Sequence, residues 1–510
     1  MDQDSHVEAS AKRAINPQPN QLGDLSAEEF RAYLHQVADW IADYRARIEE
    51  RRVSPASEPG QIIAALPSSL PEQPEQLRVI LEDLDGLIMP GLVHWGHPSF
   101  MGYFGSTTSA PGILGEMIAA ALNVSAMTWR TSPAATELET VVLEWLRQML
   151  SLPGSFKGVV YDTASVAIVH ALAAAREATG LAIRENGLAG RELIPALRIY
   201  ASDQAHSSIE KAAIMLGLGE SNVVRVASDE EFRMDVSALR AAIDDDRRAG
   251  RRPMAVVATV GTTSSTSVDP VEEIAEVCRQ NNLWLHVDAA YGGAMALLPE
   301  GRWAMRGVDG ADSVVVNPHK WLFVPLDFSA LYTRHPEILR AVFSLVPEYL
   351  RGDASHAETN YMDYGIQLGR RFRALKAWMV WRAFGREGLA ARIREQVRLA
   401  RLCADWIEHQ AGFELLAPVK MAVVCFRVTP PELAHEGEDS STVLDQFNRQ
   451  LVEAINATGK AYLTHTRLRG RTAMRLAVGN ILTTEQHLEQ IWRLILDQTE
   501  KQVGMMKSEG

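Results

Sequence analysis

The chain has 510 residues, 47% of them hydrophobic, which is too long for one ordinary core and predicts two or three domains or lobes. Acidic residues outnumber basic ones, 64 to 51, and the formal net charge of −13 argues against nucleic acid or an anionic membrane as a main partner. Cys278, Cys403 and Cys425 lie far apart without metal-ligand spacing, so neither a disulfide framework nor a metal site is expected, and a reducing cytoplasm is the default compartment.

Residues 1–20 are polar and read as a tail rather than a signal peptide or membrane anchor. Ser26-Ala27-Glu28-Glu29 has capping-box spacing, and Phe30, Leu34, Val37, Ile41, Tyr44 and Ile48 follow at helical period. That stripe suits either core packing or a second subunit. Residues 54–74, rich in Pro, Ser and Glu, read as a linker or extended wrap. Ser132-Pro133 opens a helix carrying Leu138, Val142, Trp145 and Met149 on one face. Short β-rich runs then alternate with helices at 198–202, 223–226, 255–259, 283–288, 313–317 and 329–333, the pattern of an α/β domain with a mostly parallel sheet. Asp269-Pro270 starts a crossover helix, which puts Asp288 at a strand's carboxyl end, where open α/β sheets bind ligands. Residues 370–410 read as helical, 421–427 and 474–478 as strands and 484–496 as a last helix, together a small C-terminal α/β lobe.

Two strand ends carry the chemistry. Lys320, in Asn317-Pro318-His319-Lys320-Trp321, follows one apolar strand, and Asp288, in His286-Val287-Asp288-Ala289-Ala290-Tyr291, ends another one crossover upstream. A lysine amine holds an aldehyde as a Schiff base, and a carboxylate keeps a pyridine nitrogen protonated so that the ring draws electrons. The pair suits pyridoxal 5'-phosphate. Thr163-Ala164-Ser165 opens an alanine-rich helix, which serves equally as a simple N-cap or as a phosphate site.

Together with Asp203-Gln204-Ala205-His206-Ser207-Ser208, and in this order, those motifs resemble the group II pyridoxal-phosphate decarboxylases, in particular the aromatic L-amino acid decarboxylases, from about His94 through Leu494. The resemblance implies a fold type I, transferase-like large domain (110–376) behind an N-terminal tail and dimer-interlocking helices (1–109), with a small C-terminal domain (377–510). It implies a homodimer acting on a small amino acid, with no membrane or nucleic-acid partner. By the same resemblance Thr163, Ala164, Ser165 and Asn317 hold the phosphate, His206 lies against the cofactor ring, and Thr263 and Ala290 line its pocket. Thr263 also suits the turn chemistry of a Gly-Thr loop. Tyr349 matches a mobile-loop tyrosine that returns a proton to carbon after carbon dioxide leaves, and His319 relays that proton or orients the loop.

Trp95, Tyr103, Phe104, Ser125, Met127 and Gly369 match substrate-pocket positions, in a pocket that draws on both subunits in relatives. Gly369 admits a second reading, a backbone glycine before a helix. Several positions depart from the family pattern: Asp162 for a glycine, Val166 for a glutamate, Ser125 and Met127 for bulkier groups, and Arg130 for a small residue. The implied reaction is decarboxylation of an indolic or phenolic L-amino acid to its amine. Alternatives are an aromatic aldehyde synthase, a decarboxylase of an acidic amino acid with Arg130 as side-chain partner, and a cofactor-binding protein without turnover.

Overall fold

The computed structural model describes residues 24–105, 108–345, 358–433 and 438–509. Its large domain is built on a seven-stranded sheet of β1 (Lys157–Tyr161), β2 (Leu197–Ser202), β3 (Val223–Val226), β4 (Arg252–Thr259), β5 (Trp284–Asp288), β6 (Ser313–Val316) and β7 (Ser329–Thr333), in the order β1-β7-β6-β5-β4-β2-β3. Strands β2 to β6 pair in parallel, while β7 runs antiparallel to both β6 and β1. Strands β5, β6 and β7 are buried along their whole length and β4 from Met254 onward, as expected of a sheet covered by helices on both faces. The predicted α/β class and mostly parallel sheet are borne out. One strand escaped the sequence reading: β1 is five residues with a lysine and a glycine at its start, and its place between the rest of the sheet and solvent is set by tertiary pairing.

Helix Pro133–Met149 begins at Ser132-Pro133, as predicted, and helix Val271–Asn281 is the crossover that delivers β5. Asp269 does not cap that crossover helix. Its carboxylate is buried and accepts from the backbone N–H of Met234 and of Thr259, each at 2.7 Å. Helix Arg373–His409 is one long element interrupted at Gly385 (φ 63°), and the expected division between residues 376 and 377 lies on it.

The small lobe carries a four-stranded antiparallel sheet, β10-β11-β9-β8, formed by β8 (Phe413–Leu415), β9 (Val423–Val428), β10 (Thr464–Leu468) and β11 (Arg471–Ala477). Strands β8 and β10 had no sequence signal: β8 is three residues long, and β10 reads Thr-His-Thr-Arg with no apolar run. The final helix continues to Glu509, beyond the predicted end at 496.

The N-terminal helix Ala27–Ala46 carries the full capping box, with Ser26 Oγ accepting from Glu29 N and Glu29 Oε2 accepting from Ser26 N. None of its residues is buried, and Phe30 and Leu34 remain 55% and 44% exposed. Helix Ala110–Leu122 likewise presents Leu114, Ile118 and Leu122 to the outside at four-residue spacing.

Candidate active site

The carboxyl ends of β4, β5 and β6 open onto a cavity of about 450 Å³, closed on its far side by β10 and β11 of the small lobe. Lys320, Asp288, His206, His319, Thr163, Ala164, Ser165, Thr263, Ala290, Asn317, Trp95, Tyr103 and Phe104 all line it. Positions spread over 226 residues of sequence, from Trp95 to Lys320 (320 − 95 + 1), thus converge on one chamber. A larger groove, about 660 Å³, lies between residues 49–52 and the C-terminal helix, but charge pairs such as His487 with Glu49 (3.3 Å) fill its wall, and it holds none of these residues.

Lys320 sits on the short helical turn Pro318–Trp321 that follows β6, with its Nζ 5.0 Å above the Phe104 ring. Burial lowers its pKa most, the nearby Asp288 carboxylate opposes that shift, and Arg475 adds to it. A depressed lysine keeps more of its amine neutral, the form that attacks an aldehyde. Asp288 is buried at the end of β5, where its Oδ1 accepts from Ala290 N at 3.1 Å.

Two of the three cavity histidines, His206 and His319, are held in one tautomer. His206 Nδ1 accepts from the backbone N–H of Ser208 at 3.2 Å, and His319 Nδ1 accepts from Phe328 N at 3.0 Å, so each carries its proton on Nε2. Burial lowers both, His319 to about 3 with Lys320 adding to the shift. They are neutral N–H donors at physiological pH.

The opposite end suits an anion. Thr163 is the N-cap of helix Ala164–Glu177, yet its hydroxyl makes no capping bond. Ser329 Oγ donates to Asn317 Oδ1 at 2.6 Å, and the Asn317 amide hydrogens have no acceptor among the described residues. Hydroxyl, amide and helix-end N–H groups of this kind suit a phosphate. Asp162, the acid that departs from the family pattern, does not line the chamber: its Oδ1 accepts from Thr163 N and its Oδ2 from Gln367 Nε2. Val166 packs against the core.

The aromatic residues form two stacks. Trp95 stacks on Tyr103 with centroids 5.4 Å apart and planes 6° apart, and Phe104 stacks on Tyr291 at 4.0 Å, which in turn stacks on Trp321 at 4.5 Å. Tyr103 (φ 53°) has left-handed backbone, which turns its ring outward, half exposed at the cavity mouth.

Ser125, Met127 and Gly369 are brought together, but away from this cavity. Arg370 N donates to Ser125 Oγ, Ala126 N donates to Arg370 O, Met362 N donates to Met127 O, and the Arg370 guanidinium binds Ala126 O, Val160 O and the buried Glu139 carboxylate. Arg130 is exposed and lines no part of the chamber. At Gly369 φ is not in the left-handed region, and a Cβ there meets nothing within 4 Å, so the backbone does not require glycine. Tyr349 lies outside the described residues.

The residue that sequence reasoning missed is Arg475. It lies on β11, nearly buried, stacked 4.7 Å over Phe104, with Nη1 donating to Tyr103 O and Nε to Ser264 O. Its Nη2 is buried and has no partner, and no carboxylate among the described residues pairs with it. An arginine inside the otherwise apolar run Met474–Val478 was the available signal.

Residues 59–429 match the model of the pyridoxal-dependent decarboxylase conserved domain. The chain is 39% identical over 484 residues to phenylacetaldehyde synthase of a Rosa hybrid cultivar (93% of this chain, 94% of that one) and 38% identical over 495 residues to tryptophan decarboxylase 2 of Oryza sativa subsp. japonica (95% and 97%). It superposes on the crystal structure of Catharanthus roseus tryptophan decarboxylase in complex with L-tryptophan with a TM-score of 0.87 and 35% identity, covering 94% of this chain and 100% of that one. A lysine and a carboxylate in one chamber, and these matches over nearly the whole chain, make it a member of the pyridoxal-dependent decarboxylase family, an enzyme that uses pyridoxal phosphate.

Proposed function

We propose that this enzyme converts an aromatic L-amino acid, indolic or phenolic, to its amine. Bound at Lys320, pyridoxal phosphate supplies an electron sink for the bond that breaks. The residues of this chain supply position and protons. Asp288 faces the ring nitrogen, Thr163, Ser165 and Asn317 take the phosphate, and His206 covers the ring face with a neutral N–H.

The observation that carries this reading is Arg475, which lines the same chamber as Lys320 and keeps a buried Nη2 without a partner among the described residues. A buried guanidinium N–H left without an acceptor costs about 1–3 kcal/mol, a deficit that a substrate carboxylate removes. That fits an α-amino acid and not its amine product, and holding the carboxylate is what selects the bond to be cleaved. Trp95, Tyr103 and Phe104 offer flat faces to an aromatic side chain.

We further propose a homodimer, which the outward apolar faces of helices Ala27–Ala46 and Ala110–Leu122 would suit and in which Ser125, Met127 and Gly369 would face the partner's cavity rather than their own. The relative named phenylacetaldehyde synthase keeps the aldehyde-forming reading in play, and the tyrosine at 349 favours the amine. The acidic-substrate reading has no support from Arg130 within the chamber of its own chain. Purified, cofactor-loaded enzyme incubated with tryptophan, tyrosine, phenylalanine, DOPA and glutamate should release carbon dioxide and amine from the aromatic members, and Lys320→Ala should release neither. Turnover of glutamate alone would overturn the proposal.

A further inference from the structure

Behind Asp288, away from the cavity mouth, three side chains form a chain of hydrogen bonds that the reaction as described does not use. Trp284 Nε1 donates to Ser313 Oγ at 2.9 Å, and Ser313 Oγ lies 2.9 Å from His286 Nδ1. All three residues are buried, His286 and Ser313 with no exposed surface.

The donors in this chain can be assigned. An indole N–H only donates, so Ser313 Oγ accepts there, and its one proton goes to His286 Nδ1. The opposite arrangement, with Nδ1–H donating to Ser313, strands the serine hydroxyl proton and leaves Nε2 a bare acceptor, two unsatisfied groups instead of one. His286 therefore carries its proton on Nε2, and that Nε2 is buried without a partner.

Strand geometry fixes where this N–H belongs. Side chains two apart on a strand share a face, so His286 and Asp288 stand on the same side of β5, with Cα atoms about 6.6 Å apart. Thr259 is the register partner of Asp288 on β4 and shares that face, and its Oγ1 is also buried without a partner. Two unsatisfied buried groups thus flank one carboxylate whose Oδ1 already accepts from Ala290 N. No direct bond joins them to Asp288. A single water touching His286 Nε2, Thr259 Oγ1 and Asp288 has the three polar partners that buried waters ordinarily have.

We propose that His286 is a positioning residue for Asp288: the Trp284–Ser313–His286 chain aims a neutral N–H that, with Thr259 and one buried water, stabilises the Asp288 carboxylate and so keeps the cofactor's ring nitrogen protonated. This rests on the assignment of Asp288 to that nitrogen. Burial holds His286 well below its ordinary pKa, to about 4, so it serves as a neutral donor and not as a second cation.

The test uses holoenzyme loaded with cofactor labelled with ¹⁵N in the ring, whose chemical shift reports protonation independently of turnover. His286→Phe removes the donor and keeps ring volume, His286→Gln returns an amide N–H near the position of Nε2, and Thr259→Val removes the hydroxyl isosterically. Asp288→Asn is the control. We expect the ring-nitrogen signal to move toward the unprotonated position in His286→Phe, with kcat down about 10- to 100-fold and KM within about twofold, as for loss of one hydrogen bond to a charged group. His286→Gln should recover most of both, and Thr259→Val should shift the signal in the same direction. If Asp288→Asn moves the signal while both His286→Phe and Thr259→Val leave it at the wild-type position, the relay is wrong and His286 only packs. If Asp288→Asn itself leaves the signal unmoved, the assignment of Asp288 fails instead. Should His286→Phe not fold, Thr259→Val decides the matter.

Discussion

Thr464 and Arg475 face each other across the β10–β11 hairpin, both line the active-site chamber, and each holds a buried polar atom, Oγ1 and Nη2, that has no partner among the described residues. Protein interiors seldom leave such atoms unpaired, and on the proposed function a bound ligand supplies the partner for Arg475. The small lobe is therefore part of the site, not merely a cover over it.

The first prediction follows. Arg475→Met removes the guanidinium while keeping much of the bulk over Phe104. It should lower kcat/KM for the amino acid by two or more orders of magnitude, in line with about 2–5 kcal/mol for truncating one partner of a buried charge pair. Inhibition by the matching amine, which has no carboxylate, should change by less than about threefold. Steady-state kinetics with amine as competitive inhibitor separate the two. Equal losses for acid and amine would mean that Arg475 shapes the pocket without reading the carboxylate.

A second prediction concerns pH. His170, His286 and His319 are pushed by burial to about 4, 4 and 3, and their bonding explains why: His170 Nε2 accepts from Ile366 N and His319 Nδ1 from Phe328 N, contacts that protonation destroys. The folded chain refuses protons that the unfolded chain takes up below about pH 6.5. Stability is therefore present above that pH and lost as pH falls toward 4, each histidine adding a slope of up to about 1.4 kcal/mol per pH unit. Urea midpoints of the apoprotein should drop steadily from pH 7 to pH 5, and His170→Gln should flatten that trend. A midpoint constant over this range would refute it.

What could be read from sequence depended on which physical signal a residue leaves. Asp288, Asn317 and Lys320 were legible because each ends or follows an apolar strand, where a polar side chain is out of pattern and a parallel sheet presents it to ligand. Thr163 opens a helix and His206 follows a strand, but a simple N-cap and a structural histidine fit those places equally, and their roles came from the family resemblance. Thr464 and Arg475 were not, since β10 has no apolar run and an arginine's usual partner, a carboxylate, is absent from the chain around it. Pairing in the small lobe, and the placement of β1 against β7, are tertiary choices that local periodicity does not encode. The cluster of Ser125, Met127 and Gly369 shows the converse: the residues were found, but their joining through Arg370 and their distance from Lys320 appear only in three dimensions.

The third prediction separates amine from aldehyde production. On the proposed function a tyrosine at 349 would supply a phenolic proton to the carbon left by carbon dioxide, whereas a phenylalanine would leave that carbon to dioxygen. Wild-type enzyme should give amine with peroxide below a few per cent of turnover, as an order-of-magnitude expectation for a well-placed acid. Tyr349→Phe should move product toward aldehyde, ammonia and peroxide. Stoichiometric peroxide from the wild type would instead make it an aldehyde synthase.

The last prediction concerns Gly369. Its φ does not demand glycine and a Cβ there meets open space within its own chain, so neither backbone strain nor local crowding accounts for the residue. Arg370, anchored by the buried Glu139, fixes Gly369 beside Ser125 and Met127 on an exposed surface. If that surface completes the partner's chamber, a hydroxymethyl group at 369 narrows the space over the substrate ring and brings a hydroxyl that an apolar pocket leaves unsatisfied. Gly369→Ser should then penalise tryptophan and 5-hydroxytryptophan over tyrosine and DOPA by about 1–3 kcal/mol in kcat/KM, the usual scale for small steric changes in such pockets. Its melting temperature and sedimentation should match those of the wild type, because the site tolerates a side chain within the chain. Equal losses for indolic and phenolic substrates would show that Gly369 has no part in reading substrate size, and a stable, fully active monomer would remove the route by which it reaches a substrate at all.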